Sequence, residues 1–247
     1  MTRDEQVVAW LGSACAGPTR WGTFAVLGEP GAAEIMAEQG FDFLLVDLQH
    51  GLLDWADVAT FTRAIENVGA APLVRVPSGD AASVGRALDL GAWAVVVPMI
   101  ETGEQARQMV AATQYPPRGT RSFGPFRGRA AADDVARCLV MIETAAGVDN
   151  VAEIAAVDGI LGIFVGPTDL GLSLGLGSAY EVGEPSHDDA VRTVVEACAR
   201  AGVIAAIQTA GAAEATMRAS QGFDLVSMRS DAALLRGAAA EILRAVH

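Results

Sequence analysis

The stretch that decides the fold covers residues 140–175, VMIETAAGVDNVAEIAAVDGILGIFVGPTDLGLSLG. Two short apolar runs, one of which begins at residue 138, lie on either side of a segment of helical length. This pattern predicts a strand, a helix and a second strand parallel to the first. Each strand is followed by an acidic residue, Glu143 or Asp169. Since neighbouring parallel strands end at the same edge, we expect the two carboxylates to be close enough to share a divalent metal ion.

The same unit repeats along the chain. After a short leading helix, with a capping box between Thr2 and Glu5, the pattern predicts strands at 21–27, 41–47, 71–76, 92–98, 138–142, 160–165, 203–208 and 223–228. It predicts helices at 30–39, 54–68, 80–90, 102–113, 146–157, 187–201, 211–221 and 231–245, with a glycine-rich loop at 171–186. Eight such units indicate an α/β protein, a single (β/α)8 barrel over residues 1–247. An open doubly wound sheet is the alternative, but no G-x-G-x-x-G follows the first strand.

The composition limits the classes of function. A net charge of −13 argues against nucleic acid and anionic membranes as partners. No apolar run reaches the roughly 20 residues that span a bilayer, and the charged N-terminus is unlike a signal peptide. Three scattered cysteines suggest a reducing compartment. We therefore expect a cytoplasmic protein.

All 17 basic residues are arginine, and the chain contains no lysine. A Schiff-base aldolase, a pyridoxal-phosphate enzyme and a Walker-A nucleotide binder each need a lysine amine. The sequence excludes these three mechanisms.

Polar residues follow several strands at the end where barrels hold their active sites. These residues are Asp47, Gln49, His50, Arg75, Glu143, Thr168, Asp169 and Gln208. Two carboxylates, one imidazole and one guanidinium are thus expected at one mouth, in addition to Asp47.

Each candidate also has a simpler interpretation. Glu143 and Asp169 together favour Mg²⁺ or Mn²⁺ over zinc, although each alone could cap the following helix. His50 is suited to general acid–base chemistry, or it is a loop histidine bonded to the backbone. Arg75 either pairs with Glu143 or Asp47, or stabilises an anion or a developing oxyanion.

A loop carries four more arginines, Arg118, Arg121, Arg127 and Arg129. They form either a solvated face, a subunit contact or a site for phosphates.

The chain resembles the HpcH/HpaI family of class II, metal-dependent pyruvate aldolases. The matching stretches are GFDFLLVDLQHG, PLVRVPSGD, LDLGAWAVVVPMIETGEQARQMVAATQYPPRGTRS, VMIETAAGVDNVAEI and VDGILGIFVGPTDLGLSLG, in family order over most of residues 40–175. The resemblance implies a (β/α)8 barrel and a homohexamer, a trimer of dimers whose last helices are exchanged.

The resemblance also implies roles for individual residues. Glu143 and Asp169 would bind Mg²⁺ or Mn²⁺, with Co²⁺ as a further candidate. His50 and Asp47 would belong to the catalytic group, and Arg75 would stabilise an enolate. Gly166, Pro167, Thr168, Asp169 and Arg75 would contact the 2-oxo acid. Asp89 matches an aspartate that raises the basicity of the histidine, yet its place at a helix end predicts action across a subunit interface.

Two positions differ from the family pattern. Met141 stands where a glutamine often contacts substrate, and Gln49 stands where an acidic residue often precedes the histidine. Both affect the substrate that the resemblance predicts.

The predicted function is reversible cleavage of a 4-hydroxy-2-oxo acid to pyruvate, or hydroxypyruvate, and an aldehyde. The alternatives are an acyl-CoA lyase, with the arginine loop holding CoA phosphates, and a barrel that binds a metabolite without catalysis.

Overall fold

A computed structural model describes residues 1–15, 17–127, 135–178 and 183–246. Eight parallel strands form a closed barrel in chain order, and β8 pairs with β1. The strands are β1 (Arg20–Ala25), β2 (Phe43–Asp47), β3 (Ala71–Arg75), β4 (Ala94–Val97), β5 (Cys138–Ile142), β6 (Ile160–Val165), β7 (Ile204–Thr209) and β8 (Leu225–Ser230). The predicted (β/α)8 fold is confirmed.

Helices alternate with the strands. They are α1 (Arg3–Gly12), α2 (Pro30–Glu38), α3 (Trp55–Asn67), α4 (Ala81–Asp89), α5 (Gly103–Thr113), α6 (Ala145–Asp149), α7 (Val151–Ala155), α8 (Pro167–Ser173), α9 (Pro185–Ala201), α10 (Ala212–Ser220) and α11 (Asp231–Val246). The Thr2–Glu5 capping box is present at the start of α1. In the described part of the chain, no helix has the length and apolar character needed to cross a membrane.

Two predicted segments differ from the structure. The helix predicted at 146–157 is divided at Asn150, whose side-chain amide donates to the Glu101 carbonyl at 2.8 Å. This bond fastens the junction of α6 and α7 to the segment that precedes α5. The first residues of the loop predicted from residue 171 are helical, because α8 continues to Ser173. Pro167 at the first helical position and the buried Leu170 favour this short helix.

The barrel interior is filled with apolar side chains from alternate strand positions, among them Phe24, Phe43 and Phe164. At the amino ends of the strands, Trp10 of α1 makes edge-to-face contacts with Phe43 and Trp93 at centroid distances of 6.5 and 6.2 Å. The leading helix therefore closes this end of the barrel. The polar residues that follow the strands lie at the opposite end.

Candidate active site

Asp47 and Arg75 form a buried ion pair at the ends of β2 and β3. The register of the two strands places them directly opposite each other. Both follow interior residues, Leu45 and Leu73, by two positions, so both side chains face into the barrel. The Asp47 carboxylate accepts from Arg75 Nε at 2.8 Å and from Nη2 at 2.6 Å. Of the two pairings expected for Arg75, the pairing with Asp47 is the one observed.

The pairing leaves one guanidinium nitrogen of Arg75 for other contacts. Nη1 lies 3.9 Å from the sulfur of Met141, which is at most a weak acceptor. The guanidinium carbon lies 5.1 Å from the centre of the Phe24 ring. Arg75 is therefore fixed in the barrel mouth with Nη1 weakly engaged.

His50 lies on the loop after β2 and is exposed. Its backbone N–H donates to Asp47 Oδ1 at 3.3 Å, and that of Gln49 donates to the same atom at 3.0 Å. Among the described residues, Asp47 binds the backbone of His50 and not its ring. Asp47 therefore contributes to the site through Arg75 and through the shape of this loop.

Glu143 is a buried carboxylate at the end of β5, with 2 % of its surface exposed. Its Oε1 accepts from the backbone N–H of Met99 at 2.8 Å. Thr144, not Glu143, provides the side-chain cap of α6. Burial raises the pKa of Glu143, and the negative charge of Asp169 raises it further, whereas the Met99 bond and Arg75 oppose the rise.

Gly166 brings the second acidic residue to Glu143. Its N–H donates to the Ile142 carbonyl at 3.1 Å, so β6 ends beside β5. A side chain at Gly166 would place its Cβ 2.6 Å from Glu143 Oε2, and only glycine allows this approach. Gly166 precedes α8, whose first turn contains Thr168 and Asp169, both exposed. Asp169 is near enough to Glu143 for its negative charge to raise the pKa of Glu143.

A divalent cation fits this pair. One desolvated carboxylate and a second carboxylate nearby create a local negative charge, which a cation would neutralise. The donors are hard oxygens, as Mg²⁺ and Mn²⁺ prefer. Cys138 is the first residue of β5 and Cys198 lies near the end of α9, so neither thiol is beside the pair at the carboxyl ends of the strands. No group of three or more His, Cys, Asp or Glu suitable for a metal occurs among the described residues, so the protein would supply two ligands.

His187 of α9 contacts the start of α8, the helix that carries Asp169. The ring Nε2 of His187 lies 3.0 Å from the Pro167 carbonyl, and the residue is 1 % exposed. The sequence explained His187 only as part of a helix start. Its contact with Pro167 was missed, because α8 and α9 are joined by a long glycine-rich segment.

Asp89 is not part of this group of residues. It is the last residue of α4, at the amino end of the barrel, and binds Arg121 Nη2 at 2.7 Å. Arg127 binds Glu66 at 2.8 Å. The structure agrees with the predicted helix-end position of Asp89, and two arginines of the loop are already paired there. Arg129 lies outside the described residues.

Sequence analysis missed two residues that shape the site. Met99 has a left-handed backbone with φ 58°, which aims its N–H at Glu143. Phe24 lies below the Arg75 guanidinium. Phe24 looked like an ordinary core residue, and no sequence pattern marked Met99.

The fold and this site define a (β/α)8-barrel enzyme with an acidic centre at the carboxyl ends of its strands. The family model for HpcH/HpaI aldolase/citrate lyase matches residues 20–237. The chain belongs to this family.

Individual relatives are consistent with this family membership. A hydroxypyruvate/pyruvate aldolase from Chromohalobacter salexigens is 37 % identical over 93 % of this chain and 94 % of its own. A 2-dehydro-3,6-dideoxy-6-sulfogluconate aldolase from Pseudomonas putida is 36 % identical over 91 % of both chains. The crystal structure of a family protein from Burkholderia cenocepacia J2315 superposes with a TM-score of 0.88 at 32 % identity, over 96 % of this chain and 98 % of that one.

Proposed function

We propose that this enzyme is a divalent-metal-dependent aldolase that reversibly cleaves a 4-hydroxy-2-oxo acid to pyruvate, or hydroxypyruvate, and an aldehyde. The observation that carries the proposal is the buried Glu143 beside Asp169, next to an Arg75 whose Nη1 is weakly engaged. The aldolase names of relatives at 36–37 % identity over nearly the full chain support the same reaction.

Glu143 and Asp169 would hold the metal, for which Mg²⁺ and Mn²⁺ are the leading candidates and Co²⁺ is a third. When bound there, a divalent ion supplies Lewis-acid polarisation of the substrate's keto oxygen. This role replaces the lysine amine that the chain lacks. The backbone from Gly166 to Asp169 would contact the carboxylate of the 2-oxo acid.

His50 acts as the acid–base group. In cleavage its imidazole removes the proton of the C4 hydroxyl, and the oxygen left behind becomes the aldehyde carbonyl. The electron pair of the C3–C4 bond then forms the enolate of pyruvate. In the direction of synthesis His50 returns the proton to the new C4 oxygen. The exposure of His50 gives its ring room to meet a substrate.

Arg75 stabilises the charge that develops on the C2 oxygen. Asp47 fixes the guanidinium through Nε and Nη2, so Nη1 is oriented before the substrate arrives. Preorganised donors of this type stabilise a transition state because they need no reorientation during the reaction. Met141, beside Nη1, would help to decide which 2-oxo acid fits.

Neither alternative has equal support. Arg121 and Arg127 of the loop, at the amino end of the barrel, already bind Asp89 and Glu66, so they are poor candidates to hold CoA phosphates at the opposite mouth. A barrel that only binds a metabolite would not need the preoriented Arg75. The aldolase accounts for both observations.

The test uses enzyme treated with a chelator and then supplied with Mg²⁺, Mn²⁺ or Co²⁺. We expect metal-dependent release of pyruvate from 4-hydroxy-2-oxo acids, and metal-dependent exchange of the C3 protons of pyruvate with D₂O. Glu143→Gln should lose both activities and bind Mn²⁺ at least about tenfold more weakly. Full activity of chelator-treated Glu143→Gln would refute the proposal.

We also propose that copies of the chain assemble through α11, as the resemblance implies. Its only buried residue is Asp231, and the apolar Leu235, Ile242 and Leu243 are exposed, Leu243 by 57 %. Exposed apolar surface of this kind marks an interaction site. Asp89 would reach a histidine across such an interface. Light scattering should give a hexamer.

A further inference from the structure

A cavity of about 250 Å³ adjoins the candidate active site at the carboxyl ends of β6, β7 and β8. Its lining consists of Pro167, Thr168, Ser178, Gln208, Thr209, Ala210, Glu214 and Arg229. Thr168 is the neighbour of Asp169, so the cavity and the carboxylate pair share a wall. It lies where a substrate that reaches beyond the 2-oxo acid would extend.

Arg229 is the cationic side chain of this cavity. Its Nε donates to the Ala210 carbonyl at 2.8 Å, which orients the guanidinium. Among the described residues, no carboxylate lies within ion-pair distance of Arg229, and Nη1 and Nη2 have no hydrogen-bond acceptor. The side chain is exposed at the mouth. Two parallel N–H groups are therefore free to bind an anion in a bidentate manner.

The acidic residue of the cavity does not compete for Arg229. Glu214 is 7 % exposed; its Oε2 accepts from the Ala210 N–H at 2.8 Å, and its Oε1 lies 3.6 Å from Arg218 Nε. Arg218 also binds Asp188. Glu214 therefore forms its ion pair with Arg218, not with Arg229.

The backbone of Arg229 has φ 56°, in the left-handed region. A long side chain is disfavoured there, and glycine or asparagine would fold more easily. Unfavourable backbone of this type is concentrated at functional sites. Within the described part of the chain, the guanidinium has no salt bridge that would offset the strain, so a ligand is the better explanation.

We propose that Arg229 binds an anionic group at the far end of the aldehyde, so that the enzyme selects aldehydes ending in a carboxylate or a phosphate. In barrels of this type, the loops after strands 7 and 8 often form an anion site. This inference rests on the proposed aldolase function and adds the class of its second substrate.

The test compares aldehydes that differ only in the terminal charge. Pyruvate is condensed with succinic semialdehyde or butanal, and with glyceraldehyde 3-phosphate or glyceraldehyde. We expect the wild type to show a kcat/KM at least about tenfold higher for the anionic member of a pair, as a charge-assisted bidentate contact provides. The pair with the larger ratio distinguishes a carboxylate from a phosphate.

Three variants locate the effect. Arg229→Gln should lower kcat/KM for the anionic aldehyde by about 10- to 100-fold, mainly through KM, and change the neutral one by less than about threefold. Arg229→Gly should show the same loss of selectivity as Arg229→Gln. Its Tm should equal or exceed that of the wild type, since glycine removes the left-handed strain. Arg192→Gln, an exposed arginine on α9, changes the net charge equally and should alter neither.

The exchange of pyruvate C3 protons with D₂O, which needs no aldehyde, separates the two proposals. If the wild type does not exchange them, the aldolase proposal fails. If exchange occurs but anionic aldehydes have no advantage, or if Arg229→Gln slows both aldehydes equally, the role of Arg229 is refuted. Loss of exchange in Arg229→Gln would also refute it.

Discussion

The buried pair of Asp47 and Arg75 gives the sharpest prediction for stability. In Asp47→Asn, Oδ1 still accepts the N–H groups of Gln49 and His50. The group that replaces Oδ2 is a donor, and it faces Arg75 Nη2 at the 2.6 Å position of the present bond. The substitution therefore removes the charge and the shorter bond while the turn is conserved.

The magnitude follows from burial. Asp47 is 1 % exposed and Arg75 is 7 % exposed, so water replaces the lost partner poorly. Removal of one member of a buried pair costs about 3–5 kcal/mol, and we expect about 3 kcal/mol because Arg75 lies near the mouth. For a chain of this length, this loss lowers the Tm by about 6–12 °C.

The assay is thermal and urea unfolding followed by circular dichroism. The matched control is Asp189→Asn, which breaks the pair of Asp189 and Arg192, whose side chains are 63 % and 60 % exposed. This control should change the Tm by less than about 2 °C. A Tm for Asp47→Asn as close to the wild type as the control's would show that the pair does not stabilise the fold.

Three further predictions concern the metal site and the assembly. Glu143→Gln should raise the Tm of metal-free protein at about pH 8, because burial raises the pKa of Glu143 and its ionised form opposes folding above that pKa. The gain in Tm should shrink as the pH falls through the raised pKa. A gain in Tm that stays constant with pH would contradict this reasoning. Gly166→Ala should weaken Mn²⁺ binding by at least about tenfold, because its Cβ would lie 2.6 Å from Glu143 Oε2. Gly31→Ala, in α2 with no atom within 4 Å of the new Cβ, should leave Mn²⁺ binding unchanged. Ile242→Asp should give smaller oligomers in light scattering, and unchanged mass would exclude this face as the contact.

The ends of β5 and β6 were predictable because they depend on local sequence. The bounds of β5 and β6 agree with the prediction, since each is an apolar run bounded by polar or glycine residues. Glu143 and Asp169 could be assigned to the same edge from the direction of parallel strands alone. The division of the predicted helix at Asn150 could not be predicted in this way, because the bond of Asn150 to Glu101 joins segments 49 positions apart.

The sequence by itself determined the eight-unit barrel, the acidic pair at its mouth and the exclusion of lysine chemistry, since periodicity, strand direction and composition need no tertiary contact. Only the tertiary structure decided that Arg75 pairs with Asp47, that the Met99 N–H binds Glu143, and that Arg229 lies in the cavity with no ionic partner among the residues described. These contacts depend on strand register and left-handed backbone at single residues, and the bonds of Arg75, Met99 and Arg229 join positions 28, 44 and 19 residues apart. Local sequence patterns contain no information at that separation.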